Sequence, residues 1–320
     1  MSRPTVLRVP PMSPELHAAV GELYDVRDLP AEASGAERTA FLAEHGGDVV
    51  AIVCSHAGTV DAGIIDALPR LEAITNLGVG YDNVDVPAAL ARGVAVSHTP
   101  GVLDDAVAET ALGLLIATRR RLVDADRFVR AGSWPDGAYP LTGQVAGSRV
   151  GILGLGRIGE RIAGLLTALG CTVSYHSRRE VPGSPYLHHP SAAALAAAVD
   201  NLVVIVPGGP ATAGLVDRAV LDALGPDGVL VNVARGSVVD EDALVSALEA
   251  GTLGGAGLDV FAREPEVPAA LLGRDDVVLL PHVGSATHET RAAMRQLVLD
   301  NLASWLDSGR LLTPVPEMGA

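Results

Sequence analysis

Short apolar runs alternate with amphipathic stretches along most of the chain. In the first third, the apolar runs read TVLRV, VVAIVCS, LEAITNL and VAVSH, at residues 5–9, 49–55, 71–77 and 94–98. Stretches in which apolar positions recur with helical spacing lie between them, for example at 61–68 and 86–91. Because strands that alternate with helices are typical of parallel sheets, this part of the chain is predicted to be an α/β domain.

A second series of the same kind occupies the later part of the chain. Its six apolar runs read VGILGL, TVSYHS, LVVIVP, GVLVNVA, GAGLDV and VVLLPH, as expected for a parallel sheet covered on both faces. Residues 99–121, between the two series, predict one long helix with acidic residues near its start and three arginines at its end. A last amphipathic helix is predicted from about Thr287 to Asp307.

The glycines at the start of the second series indicate what this part of the chain binds. Gly154, Gly156 and Gly159 have G-x-G-x-x-G spacing, with an apolar run before them and an amphipathic stretch after them. In dinucleotide-binding turns these glycines permit a sharp bend, a close approach of backbone to pyrophosphate, and close packing of helix on strand. Residues 99–287 are therefore predicted to form a Rossmann-type, doubly wound dinucleotide-binding domain. Residues 1–98 and 288–320 are assigned to the other domain.

The next predicted strand ends in a basic turn. An NAD-selective site has a carboxylate there, which accepts the ribose hydroxyls and repels the extra phosphate of NADP. Here His176 is followed by Ser177, Arg178 and Arg179. A hydroxyl and two guanidinium groups suit a phosphate, and two charge-assisted hydrogen bonds favour NADPH over NADH by roughly 10²–10³-fold. NADPH is the expected cofactor, with NADH used less well; a solvated surface turn is the alternative.

Composition limits the other partners. The chain has 23 basic and 38 acidic residues, a net charge of −15. A surface this acidic repels phosphate backbones and anionic lipid, so neither nucleic acid nor membrane is an expected partner. Cys54 and Cys171 lack metal-ligand spacing and are predicted to be buried thiols in a reducing compartment, with no metal site. The first residues lack the apolar core of a signal peptide, and a cytoplasmic protein is expected.

Three later segments end predicted strands of the second series and carry candidate catalytic groups. They present Arg235, Glu264 and His282. Ligands of a doubly wound sheet bind beyond the carboxyl ends of its strands, so the three side chains are expected to converge. His282 can donate a proton to a developing alkoxide, Glu264 can stabilise its imidazolium, and Arg235 can hold a substrate carboxylate. Taken singly, each has a structural alternative as a helix cap, a loop acid or a strand-end histidine.

The segments GLGRIG, NVARGSVVDEDAL, GAGLDVFAREP and LLPHVGSAT resemble the D-isomer-specific 2-hydroxyacid dehydrogenase family, and the similarity extends over essentially the whole chain. The resemblance implies a flavodoxin-like substrate domain and an arginine, glutamate and histidine catalytic set. It implies that the backbone amides of Val79 and Gly80 bind the substrate carboxylate and that Ser285 lines the pocket. With the glycine loop and the basic turn, the expected cofactor-binding set is Thr110, Gly154, Gly156, Arg157, Ile158, Gly159, Ser177, Arg178, Arg179, Val206, Pro207, Thr212, Ala234, Asp259, His282 and Gly284.

Within the family, the HSRR turn and HVGSAT look most similar to NADPH-dependent glyoxylate/hydroxypyruvate reductases, which are typically homodimers. A reductase of small 2-oxo acids is therefore expected, and the sequence leaves aromatic 2-oxo acids such as hydroxyphenylpyruvate open. A different class, a nucleotide-sensing corepressor on the same scaffold, is also considered. The basic turn counts against it, because such a sensor reads NADH. Trp134 and Tyr139 lie in the region from which a tryptophan of some relatives reaches into the partner's active site, and the role expected here is an anchor in the dimer interface.

Overall fold

The computed structural model describes residues 3–32 and 34–319. The chain divides into two compact units. The first runs to Leu103 and resumes at Thr287, and the second is Asp104–Ala286. None of the helices within the described ranges is both long enough and apolar enough to cross a membrane.

The first unit is built on a parallel sheet. Its strands are β1 (Thr5–Val9), β2 (Asp25–Asp28), β3 (Val49–Ser55), β4 (Ala73–Leu77) and β5 (Ala95–Ser97). The helices between them are α1 (Pro14–Leu23), α2 (Gly35–His45), α3 (Ala62–Asp66) and α4 (Val86–Ala91). The spatial order β2-β1-β3-β4-β5 is that of flavodoxin-like sheets, which confirms the predicted class.

The second unit holds a larger parallel sheet. Its strands are β6 (Arg149–Leu153), β7 (Thr172–His176), β8 (Leu187–His188), β9 (Asn201–Val204), β10 (Val229–Asn232), β11 (Gly255–Leu258) and β12 (Val277–Leu279). Their order is β12-β11-β10-β9-β6-β7-β8, so the chain winds outward from β6, crosses back, and continues on the other side through β9. This reversal defines a doubly wound Rossmann-type sheet, as predicted, and creates a crevice beyond the carboxyl ends of β6 and β9.

The helices of the second unit either precede its first strand or connect its strands. They are α5 (Asp104–Arg119), α6 (Leu122–Arg130), α7 (Arg157–Ala168), α8 (Ala192–Ala196), α9 (Arg218–Leu224), α10 (Glu241–Glu249) and α11 (Ala269–Leu272). Short 3₁₀ helices occur at Trp134–Asp136, Gly236–Val238 and Pro316–Met318. The last helix, α12 (His288–Ser308), belongs to the first unit and packs against β4.

The helix predicted over residues 99–121 is shorter than expected. It begins at Asp104, because the Pro100–Gly101 pair bends the chain and Gly101 has a left-handed φ of 85°. It ends at Arg119, and Arg121, with φ 48°, separates it from α6. The last helix differs by one residue at each end, since Thr287 is its N-cap and accepts a hydrogen bond from the Thr290 amide.

Candidate active site

The turn between β6 and α7 is held by two of its three glycines. A Cβ on Gly154, which has φ 108°, would lie 2.8 Å from the carbonyl oxygen of Ile205. A Cβ on Gly159 would lie 2.2 Å from the carbonyl oxygen of Gly154. Gly156, the N-cap of α7, has no atom within 4 Å of its Cβ position, and no side chain caps the helix. The first amides of α7 are therefore placed to bind an anion.

The basic turn adjoins this glycine loop. The Gly154 amide donates to the carbonyl of His176, the last residue of β7, at 2.9 Å. The Ser177 hydroxyl donates to the Arg179 carbonyl at 2.6 Å, which closes the turn. Arg178 and Arg179 are exposed, and neither forms an ion pair with any residue that the structure describes. Two guanidinium groups that have no acidic partner among the described residues therefore lie at the end of β7.

His282 and Glu264 are joined by a short hydrogen bond. His282 Nδ1 lies 2.7 Å from Glu264 Oε2, and both side chains are partly buried. The Phe261 amide donates to Oε1 of the same carboxylate at 3.1 Å. Burial raises the pKa of Glu264. The hydrogen bonds from His282 and Phe261, with the charge of Arg235, lower it further than burial raises it, so the carboxyl pKa lies below its usual range.

Asp259 fixes the backbone that carries His282. Its buried carboxylate accepts hydrogen bonds from the amides of Val283 at 2.7 Å and Gly284 at 2.8 Å. Its carbonyl accepts the His282 amide at 2.8 Å. Burial raises the pKa of Asp259, and the two backbone hydrogen bonds offset part of that effect. These bonds hold His282 in a left-handed conformation, with φ 53°, which few residues other than glycine adopt.

Two residues that the sequence analysis passed over hold the turn that carries Arg235. The side chain of buried Asn232 donates to the Arg235 carbonyl and accepts from the Ala234 amide, both at 3.0 Å. A Cβ on Gly236 would lie only 1.9 Å from the carbonyl carbon of Phe261. The Arg235 turn is therefore pressed against the loop that carries Glu264. Both residues belong to the segment NVARG, which also contains Arg235. Their closeness to this candidate catalytic residue could have indicated that they support it.

The other expected cofactor residues lie in the same unit. Thr110 Oγ1 donates to the Gly284 carbonyl at 3.3 Å, which links α5 to the loop after β12. Thr212 Oγ1 donates to the Pro207 carbonyl at 2.6 Å, which closes the loop after β9. Arg157 and Ile158 are the first two residues of α7. The remaining members, and Ser285, lie in the loops after β9, β10, β11 and β12: Val206, Ala234, Asp259, Gly284 and Ser285.

Val79 and Gly80 lie in the first unit, directly after β4. His98 Nδ1 donates to the Val79 carbonyl at 2.9 Å, and the Asn76 side chain donates to the Gly80 carbonyl at 2.9 Å. The hydroxyl of Thr99 accepts the Gly78 amide at 3.1 Å. Within the described part of the chain, the amides of Val79 and Gly80 donate no hydrogen bond. The loop is fixed through its carbonyls and presents two amides.

A family model agrees with this geometry. The model for the NAD-binding domain of D-isomer specific 2-hydroxyacid dehydrogenases matches residues 112–284, which is more than half of the chain. The chain belongs to this family. The family predicted from the motifs is thereby confirmed, and the protein is a dehydrogenase of the two-domain type.

Relatives of this dehydrogenase are similar over most of their length. The hydroxyphenylpyruvate reductase of Plectranthus scutellarioides is 49% identical over 86% of this chain and 88% of its own. A glyoxylate/hydroxypyruvate reductase of Arabidopsis thaliana is 46% identical over 87% of this chain and 89% of its own. The crystal structure of an NADPH-dependent glyoxylate/hydroxypyruvate reductase from Sinorhizobium meliloti, in complex with NADP and malonate, has a TM-score of 0.91. It is 46% identical and covers 99% of this chain and 98% of its own.

Proposed function

We propose that this dehydrogenase reduces small 2-oxo acids of the glyoxylate and hydroxypyruvate kind to 2-hydroxy acids with NADPH. The observation that carries the proposal is the 2.7 Å hydrogen bond between His282 and Glu264. It lies at the carboxyl edge of a Rossmann-type sheet, where a proton donor is needed beside a dinucleotide. The named relatives from Arabidopsis thaliana and Sinorhizobium meliloti support this substrate class.

The residues of the second unit fit NADPH. The open backbone at Gly156 and the uncapped start of α7 suit a pyrophosphate. Arg178 and Arg179, which lack acidic partners among the described residues, suit a phosphate on the adenosine ribose. When bound, the cofactor supplies the hydride for the substrate carbonyl. An acidic residue in place of the basic turn would have argued for NADH.

We assign the proton transfer to His282. Its Nδ1 faces Glu264, so the proton for the developing alkoxide leaves from Nε2. The anionic carboxylate of Glu264 stabilises the imidazolium before transfer and fixes the orientation of the ring. Asp259 and its bonds to the loop after β12 keep the ring in place through the backbone.

The substrate carboxylate needs cationic or amide donors. The Arg235 guanidinium offers two parallel N–H groups that match a carboxylate and can polarise the adjacent carbonyl. The amides of Val79 and Gly80 offer further donors, and Ser285 is a lining residue. We assign these binding roles to Arg235, Val79, Gly80 and Ser285.

Reduction of an aromatic 2-oxo acid is the second candidate. It is favoured by the 49% identity to the Plectranthus scutellarioides enzyme, whose name gives hydroxyphenylpyruvate as its substrate. The two candidates share the proton donor and the carboxylate-binding groups, so they differ only in the space around the substrate side chain.

A steady-state panel distinguishes these possibilities. Glyoxylate, hydroxypyruvate, pyruvate and hydroxyphenylpyruvate are each tested with NADPH and with NADH. We expect the highest kcat/KM for glyoxylate or hydroxypyruvate with NADPH. A higher value for hydroxyphenylpyruvate would establish the second candidate. Tight NADH binding without turnover of any 2-oxo acid would refute the reductase proposal and favour a nucleotide-sensing role.

We also propose a cytoplasmic homodimer. Residues 122–141 expose several large apolar side chains, and α6 contributes none that is buried. The exposed set is Leu122, Val123, Val129, Trp134 and Leu141. The Tyr139 hydroxyl is engaged within the chain by Asp124 at 2.5 Å, whereas Trp134 is 66% exposed and suits an anchor in the interface. Large apolar side chains that are exposed together within one short segment suit an interface with a partner.

Light scattering on a double Val129→Glu, Leu141→Glu variant tests the dimer. We expect a dimer mass for the wild type and a monomer mass for the variant. Leu187→Glu, which alters an exposed leucine on β8, is the control and keeps the wild-type mass. A monomeric wild type would refute the proposed homodimer.

The proposed cytoplasmic location rests on the two cysteines. The free thiols of Cys54 and Cys171 are buried, and free thiols suit a reducing compartment.

A further inference from the structure

The basic turn is held from the neighbouring strand by a histidine. β8 contains only Leu187 and His188, and His188 pairs with Tyr175 of β7. His188 Nε2 lies 3.1 Å from the carbonyl oxygen of Ser177, the first residue of the turn. A carbonyl oxygen can only accept, so Nε2 is the donor. The strand with the fewest residues in this sheet thus makes a side-chain bond to the turn.

The ring of His188 lies against two other rings. It is stacked on His176, with centroids 5.8 Å apart and an angle of 20° between the ring planes. It is tilted against Tyr175, with centroids 5.1 Å apart. His176 is itself fixed, because its Nδ1 donates to the His189 carbonyl at 2.8 Å. These contacts restrict the rotation of His188 and aim its Nε2 at the turn.

The far end of the turn is tied in the same way. The amide of Val181 donates to the hydroxyl of Tyr175 at 2.8 Å, and Tyr175 is completely buried. Side chains of β7 and β8 therefore fix both ends of the segment 177–181. Arg178 and Arg179 lie between the two ties. A segment fixed in this way loses little conformational entropy when a ligand orders the two guanidinium groups.

We propose that His188 is a positioning residue for cofactor selectivity: its hydrogen bond to Ser177 fixes the turn in the conformation that binds the phosphate on the adenosine ribose. This inference rests on the proposed use of NADPH. It adds a residue that contacts neither the phosphate nor the reacting atoms and acts through the backbone of the turn. Loss of the hydrogen bond is expected to weaken ligands with a 2′-phosphate and to spare those without one.

Binding of two nucleotide fragments tests this role without turnover. Calorimetry measures the Kd of 2′,5′-ADP and of 5′-AMP for the full-length wild type, His188→Ala and His188→Gln. For His188→Ala we expect the Kd of 2′,5′-ADP to rise about five-fold, the effect of one ordinary hydrogen bond, and the Kd of 5′-AMP to stay unchanged. The glutamine amide can donate to the Ser177 carbonyl, so His188→Gln should recover most of the affinity for 2′,5′-ADP.

Steady-state kinetics and a control variant complete the test. The KM for NADPH should rise in His188→Ala, while kcat and the KM for NADH stay at wild-type values. Leu187→Ala removes an exposed side chain from the same strand and should change neither Kd. Equal weakening of both fragments, or no weakening of either, would overturn the role of His188. If the wild type itself bound 2′,5′-ADP no better than 5′-AMP, the proposed use of NADPH would fail as well. If His188→Ala does not fold, His188→Phe takes its place, because it keeps a ring at this position but has no hydrogen-bond donor: weaker binding of 2′,5′-ADP with unchanged binding of 5′-AMP supports the role, and equal weakening of both fragments or no weakening of either overturns it.

Discussion

Nδ1 of His282 lies 2.7 Å from Oε2 of Glu264, and the second oxygen of that carboxylate is held by the Phe261 amide. Both oxygens of Glu264 are thus fixed, one by the ring and one by the backbone. The ring of His282 cannot rotate without breaking this bond, and the Asp259 contacts keep its backbone in place. The orientation of the proton donor is therefore set in the protein before any substrate binds.

Removing the proton donor should abolish most of the turnover. We expect His282→Ala to lower kcat for 2-oxo acid reduction by about 10²–10⁴-fold, the usual contribution of a general acid. The Kd for NADPH, measured by fluorescence titration, should change far less than kcat, because most of the expected cofactor contacts come from other residues. His45→Ala, which alters a partly exposed histidine on α2, is the matched control and should keep full activity. Turnover close to wild type in His282→Ala would remove this residue from the mechanism.

The low pKa of Glu264 gives stability a defined dependence on pH. Because folding lowers this pKa from 4.5, the folded protein binds fewer protons here than the unfolded chain. The carboxylate therefore contributes stability that is fully present above the unfolded pKa and is lost as the pH falls through the lower folded value. We expect the difference in Tm between wild type and Glu264→Gln to be largest near neutral pH and to shrink from about pH 5 to about pH 3.

A control variant is needed because Glu264→Gln also removes one negative charge from the protein. Glu44→Gln replaces an exposed glutamate on α2, and its Tm should follow that of the wild type across the same pH range. A difference between wild type and Glu264→Gln that stays constant, or grows in acid, would contradict the stabilising role of the carboxylate.

The sheet pattern and the fold class of both units could be predicted, because their central strands are short apolar runs. β1, β3, β6 and β9 are nearly or wholly buried and stand out from the polar turns beside them. The pairing of His282 with Glu264 also follows from a simple rule. Both residues follow strands of one parallel sheet, and parallel strands end at a common edge.

Two edge strands, β2 and β8, could not be predicted from an apolar run in the sequence. β2 reads DVRD and contains no buried residue. Besides its backbone pairing with β1, it is joined to that strand by buried Arg8, which bonds both carboxylate oxygens of Asp28 at 2.6 and 2.7 Å. β8 contains two residues. A strand that buries little apolar area has no periodic pattern to detect. The sequence also does not show why residue 236 must be glycine, because Phe261, which its Cβ would meet, lies 25 residues further along the chain.

Gly236 should not tolerate a side chain. Its Cβ position lies 1.9 Å from the Phe261 carbonyl carbon, a distance that no neighbouring backbone can accept without moving. We expect Gly236→Ala to lower the free energy of unfolding by about 1–3 kcal/mol, the cost of an overpacked site. Turnover should fall as well, because the displaced backbone carries Arg235 and leads to Glu264. Urea denaturation and steady-state kinetics measure the two effects.

The control for Gly236→Ala is a glycine in open space. Gly113 lies inside α5 with nothing within 4 Å of its Cβ position, and alanine favours a helix by about 0.5–1 kcal/mol. Gly113→Ala should therefore be neutral or slightly stabilising and fully active. If Gly236→Ala were as stable and as active as Gly113→Ala, the close approach of the backbone at Gly236 would not be needed for stability or turnover.

The predicted preference for NADPH over NADH depends on the basic turn. Arg178 and Arg179 are exposed and have no acidic partner in the described chain, so their removal should cost the fold little. We expect the double variant Arg178→Ala, Arg179→Ala to lower kcat/KM with NADPH by about 10²–10³-fold and to leave kcat/KM with NADH unchanged. Arg218→Ala, which removes an exposed arginine of α9, is the control and should keep the preference. If the double variant still prefers NADPH as strongly as the wild type, residues other than Arg178 and Arg179 determine the selectivity.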